Sequence, residues 1–169
     1  MKHIKGIYLI ILLCCFFIWQ ACQKDAVDPI LSVKEYPNVD ESLWKYFERF
    51  EAEAARRDID VDLTARGISA VIEPIEAENV GGLCNYFSNN ANELIIDDYI
   101  WENTSEFQKE LILFHELGHC YLFRDHRDDA CDDGFCKSLM RSGLSDCIDH
   151  YNGNTRNTYL DELFDPDSF

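Results

Sequence analysis

The chain has 169 residues, room for one compact domain and too few for two of ordinary size. Hydrophobic residues make up 47%, enough for a packed core and out of keeping with global disorder. The formal net charge of -17 argues against nucleic acid as a partner, since polyanions repel, and reads as a solubilising surface.

The first stretch reads as a targeting segment. Lys2 and Lys5 precede a nearly unbroken apolar run from Ile7 to Trp19. That run is short for a transmembrane helix and suits the centre of a secretory signal. It ends at Gln20-Ala21-Cys22, with a small residue directly before a cysteine. This ending resembles a bacterial lipoprotein signal. The resemblance implies that residues 1–21 are removed, that Cys22 carries a lipid, and that the protein is exported and anchored to a bacterial membrane, facing the periplasm or the exterior. Ordinary cleavage, with Cys22 a plain residue, is the other reading. Residues 22–39 then form a polar tether and residues 40–169 the folded domain, expected to be a monomer.

Export places the remaining cysteines in a compartment that permits disulfides. These are Cys84, Cys120, Cys131, Cys136 and Cys147, an odd number, so at least one stays free or pairs outside the chain. Cys131 and Cys136 can pair with each other or with Cys84 or Cys147. Cys120 falls inside a predicted helix and is expected to be a buried thiol. No CxxC pair exists, which disfavours a zinc knuckle.

Glu41 to Arg57 reads as an amphipathic helix capped by Asp40, with Leu43, Phe47, Phe50 and Ala54 on one face. Ile68 to Ile72 is a strand stopped by Pro74. Gly81-Gly82 opens a second strand, Leu83 to Phe87, and Ser88 to Asn92 is a turn cluster leading to a third, Glu93 to Tyr99. The last two are close enough for a hairpin. Asn103 to Glu106 offers several helix caps. From there Phe107, Leu111, Phe114 and Tyr121 form an apolar stripe ending near Leu122 to Arg124, interrupted by Gly118, a sign of close approach by another backbone. Asp125 to Gly134 is a charged loop, and Tyr159 to Phe164 a final short helix. The fold class is α+β: a small mixed sheet packed on an N-terminal helix and on the helix that carries the motif below.

That helix contains His115-Glu116-Leu117-Gly118-His119. Histidines at i and i+4 share one helical face, so both imidazoles can reach one ion. Glu116 points about 100° around the helix, beside the ion rather than at it. A general base for a zinc-bound water stands there: zinc acidifies the water, and the glutamate takes its proton and delivers it to the leaving amine. A catalytic zinc needs a third protein ligand. Asp125 and His126 follow His119 by six and seven residues, whereas Glu162 is the only glutamate downstream of it.

With Met140 following His119 by 21 residues, this run resembles the metzincins. In that family two helical histidines, a glycine turn and a third ligand six residues on are followed by a methionine turn that floors the metal. The resemblance implies a metzincin-like fold from about Leu94 to Met140. It also implies a catalytic Zn2+ on His115, His119 and a third ligand, and a zinc endopeptidase with Glu116 as general base acting on peptide or protein substrates. Leu122 stands where the family has glycine; a turn near Phe123 would bring His126 rather than Asp125 to the metal, and His126 is favoured. Ser142 replaces the family's tyrosine, leaving Tyr151 or Tyr159 as oxyanion donors, and His150 is expected to be structural. In the family the strand before the metal helix lies at the sheet edge and takes substrate as an added strand, a part assigned here to Glu93–Tyr99. The competing reading is an inactive, metallopeptidase-like binding lipoprotein.

Overall fold

The computed structural model describes residues 34–85, 92–130, 135–143, 148–165 and 167. The signal, Cys22, most of the Ser88–Asn92 turn cluster, Cys131 and Cys147 lie outside the described residues. The described part is an α+β unit beginning at Lys34, with a three-stranded mixed sheet and four α-helices. Tyr36 and Val39, in the stretch read as a tether, are buried in its core. No described helix is long and apolar enough to cross a membrane.

Asp40 starts the first helix as its composition predicts. Its carboxylate accepts from the Ser42 amide at 2.9 Å and caps a short 3-10 turn, Glu41–Leu43, that runs into α1, Trp44–Ala55. Leu43, Phe47, Phe50 and Ala54 are fully buried, so the apolar face is the one read from the spacing. Asp58, at φ 58, takes the chain out of the helix.

Strand β1, Ser69–Glu73, pairs parallel with β3, Glu93–Asp97, and β2, Gly82–Asn85, pairs antiparallel with β3 on its other side. The hairpin expected between the second and third strands is therefore present, but the strand order is β1-β3-β2. This corrects the assignment of Glu93–Tyr99 as the edge: β3 is central, and among the described residues β2 is the edge strand beside the site. The strand also stops early. Asp97 turns its carboxylate onto the Ile100 amide at 2.8 Å and onto the Ile75 amide at 3.0 Å, capping a short helix α2, Asp98–Glu102.

Helix α3, Glu106–Cys120, opens on a capping box in which Ser105 and Gln108 satisfy each other's backbone amides. It packs on β2, β3 and α1, and Phe114 meets Phe50 edge to face at 5.1 Å. Being covered on several sides, it buries Leu111, Ile112, Leu113, Phe114, Leu117 and Cys120 rather than one stripe, while Phe107 stays 41% exposed. A last helix, α4, Arg156–Leu163, closes the core beneath α1 and α3 through Leu160, Leu163 and the following Phe164.

The cysteine pairing differs from the expectation. Cys84 on β2 is bonded to Cys120 at the end of α3, so Cys120 is buried but not a free thiol. Residues 36 apart in sequence meet because α3 lies across β2. Cys136 is also disulfide-bonded.

Candidate metal centre

Helix α3 carries His115 and His119 on one face, one turn apart. Each ring is then held by a backbone carbonyl: the Leu139 carbonyl lies 2.7 Å from Nδ1 of His115, and the Arg124 carbonyl lies 2.6 Å from Nδ1 of His119. A carbonyl oxygen only accepts, so both Nδ1 atoms carry the proton and both Nε2 atoms present a lone pair. Those Nε2 atoms are 3.1 Å apart, and Nε2 of His119 lies another 3.1 Å from Nε2 of His126.

The bare lone pairs of His115 and His119 repel at that distance unless a cation sits between them. Burial works against a proton in that role: it pulls the His115 pKa down to about 4 despite the Leu139 hydrogen bond, and it also lowers that of His119. Three nitrogens on a tetrahedral ion at Zn–N distances of about 2.0–2.1 Å would stand about 3.3 Å apart, close to the observed spacing. His115, His119 and His126 thus form a group that could hold a metal ion, with their ligand atoms all within 4.8 Å of one another. The two carbonyls supply the outer hydrogen bonds that fix ring orientation in such sites.

His126 reaches this group because of how α3 ends. The Tyr121 and Leu122 amides both return to the Leu117 carbonyl, and the Arg124 amide reaches the Gly118 carbonyl at 3.0 Å. Between them Phe123 sits at φ 57, the left-handed conformation that costs a non-glycine residue about 1–2 kcal/mol. The turn therefore falls one residue beyond Leu122, at Phe123. Asp125 lines the cavity but stands outside the three-histidine group. Arg124 anchors the turn: its buried guanidinium donates to the Glu162 and Leu163 carbonyls at the end of α4 and to the Glu162 carboxylate.

Met140 lies fully buried under the helix. A Cβ on Gly118 would stand 2.4 Å from its sulfur and 3.3 Å from Leu163, so Gly118 is the gap that admits the methionine side chain. The close neighbour of that glycine is a side chain, not the backbone its position suggested. Glu116 is matched in the same way by Gly82 of β2, where a Cβ would meet the Glu116 carboxylate at 2.9 Å. Glu116 is 6% exposed, and burial pushes its pKa up to about 8.

These residues border a cavity of about 390 Å³ shared by His115, Glu116, His119, His126, Tyr159 and Arg141. Tyr159 lines it, although its hydroxyl donates to the Cys136 carbonyl at 2.9 Å. Tyr151 is elsewhere, donating to Glu110 at 2.6 Å in the core. Ser142, at the position of the family's tyrosine, binds Asp128, and His150 packs against Phe135 with ring centroids 3.9 Å apart and the rings tilted by 55°. Gly82, Arg141 and the two carbonyls were not singled out from sequence; the Gly81-Gly82 pair was the one visible signal among them. Searches against protein-family models, curated proteins and solved structures find no match to this chain.

Proposed function

We propose that the protein is a zinc-dependent endopeptidase of the metzincin type, anchored to a bacterial membrane through Cys22. The observation that carries the reading is the convergence of three imidazole nitrogens with a buried carboxylate beside them in one open cavity. A zinc ion bound there supplies an acidified water and polarises the scissile carbonyl.

The chain's own residues do the rest. His115, His119 and His126 hold the ion, with the first two ring orientations set by Leu139 and Arg124. Burial favours the neutral acid of Glu116, whereas a dication alongside favours the carboxylate that can accept a proton. Glu116 then passes that proton to the leaving amine. The exposed edge of β2, next to Glu116 at Gly82, offers backbone groups to an extended peptide.

The deciding experiment pairs metal analysis with cleavage of a mixed peptide library for wild type and Glu116→Gln. The wild type should hold about one zinc per chain and cleave; the variant should keep the zinc and cleave about 10² to 10⁴ times more slowly. Loss of zinc in the variant would make Glu116 structural. A zinc-loaded wild type that cleaves neither peptides nor folded proteins would leave the binding-lipoprotein reading in place.

A further inference from the structure

One arginine in the wall of the cavity shared by the histidines has no ion pair with a carboxylate among the described residues. Arg49, Arg56, Arg57, Arg124, Arg127 and Arg156 each lie within 4.0 Å of a carboxylate oxygen. In a chain with 32 acidic and 15 basic residues, that is the expected state of an arginine. Among the described residues, two depart from it. Arg66 lies over the Phe123 ring at 4.8 Å. Arg141, directly after Met140, lines the cavity shared by the histidines and Glu116.

Arg141 spends little of its hydrogen-bonding capacity on the protein. Its Nη1 donates to the Asp128 carbonyl at 3.1 Å, and its buried Nε has no partner. The Asp128 carboxylate is near enough to feel the Arg141 charge but makes no hydrogen bond with it; its Oδ1 accepts from the Ser142 amide at 2.8 Å and from its hydroxyl at 2.7 Å. A guanidinium has five donors in a rigid fork; Nε is closed off by burial, so the Nη donors not spent on Asp128 are the ones open to a ligand. The group that matches both the fork and the charge is a carboxylate.

We propose that Arg141 receives a carboxylate of the substrate and is the residue that sets specificity in this cavity. The proposal rests on the peptidase reading for its ligand, a peptide. Two sources carry the same chemistry: the side chain of Asp or Glu, and the carboxylate at the peptide's own C-terminus.

Binding is the primary readout. Fluorescence anisotropy on Glu116→Gln protein, with and without zinc, compares labelled hexapeptides that carry Asp or Glu at each position in turn with their Asn or Gln counterparts. A second arm compares free-acid with amidated C-termini. Carboxylate-bearing peptides should bind about 10 to 100 times more tightly than neutral ones, the usual weight of a charge-assisted hydrogen bond. Adding Arg141→Gln should abolish that ratio, and Arg141→Lys should restore only part of it, since a lysine keeps the charge without the fork. The arm that shows the ratio identifies the source. Equal affinity for acid and neutral peptides when Arg141 is intact, or a ratio that survives Arg141→Gln, overturns the proposal. Cleavage of the same peptides by zinc-loaded protein with Glu116 intact is scored separately. A protein that binds with the Arg141-dependent ratio and cleaves nothing keeps this subsite and loses the peptidase reading.

Discussion

Asp125 and His126 are neighbours with the same nominal reach, yet only the imidazole joins the other two. The difference is one backbone dihedral. With Phe123 at φ 57, the residue three further on is carried back over His119, and the residue before it is left on the cavity wall. His126→Ala should therefore abolish stoichiometric zinc, as should His115→Ala and His119→Ala. Asp125→Asn should retain it. Inductively coupled plasma analysis of the four purified variants checks this, and zinc lost from Asp125→Asn but kept in His126→Ala would reverse the assignment. Glycine is the usual residue in a left-handed turn because it has no Cβ to clash. Here an exposed phenylalanine occupies that position under the Arg66 guanidinium, so the turn is made without its customary residue.

Among the elements, α1, α3 and α4 are fastened by a buried network of charge. Arg156 of α4 donates to Glu53 of α1 at 2.8 Å and to Glu110 of α3 at 2.5 Å, while Tyr151 and Arg57 complete the two carboxylates. Burial alone would raise the Glu53 pKa, but the hydrogen bonds from Arg57 and Arg156 hold it below the ordinary glutamate value. The unfolded chain therefore takes up this proton first as pH falls. The stability Glu53 contributes is complete above its unfolded pKa and is lost as pH drops through the lower folded value. Glu53→Gln should cost about 1.5–3 kcal/mol at pH 7, since it takes a charged acceptor from two half-buried guanidiniums that keep Asp161 and Glu110 as their other partners. Urea unfolding at pH 7 and pH 3 should show that gap narrowing at the acid end. An unchanged gap would mean that shape rather than charge holds the helices. Elements of this kind were legible in part. The face of α1 could be read because every third or fourth residue is apolar against charged neighbours. Periodicity has no bearing on strand order, so β3 was placed at the edge it does not occupy. Nor does it reveal that Asp97 abandons the strand to cap a helix. The histidine spacing was legible because it lies within one helix and one turn, whereas Gly82 and Arg141 enter the site only through packing.

On the scale of the whole molecule, the Cys84–Cys120 bond ties the edge strand β2 to the end of the motif helix, one residue past His119. In the loop-entropy description, closing a loop of this length stabilises the fold by about 4 kcal/mol. A Cys84→Ala/Cys120→Ala variant should lose stability of that order in urea unfolding. Its zinc affinity should fall less steeply than in any histidine variant, because the His115 and His119 imidazoles remain tied to the Leu139 and Arg124 carbonyls. Titration with a competing chelator measures that difference. Equal losses would mean that the disulfide, rather than the turn, holds the ligands in place.

The Arg124 clamp also bears on when the centre comes into being. His119 takes its orientation from the Arg124 carbonyl, and the Arg124 side chain is fastened to the Glu162 and Leu163 carbonyls. The two helical histidines are made some forty residues before that anchor leaves the ribosome. A nascent chain can form α3 early, since its hydrogen bonds are local, but the Arg124 anchor of the turn that leads to His126 is complete only when α4 docks. The last fastening of the turn between His119 and His126 therefore waits for a helix made some forty residues later.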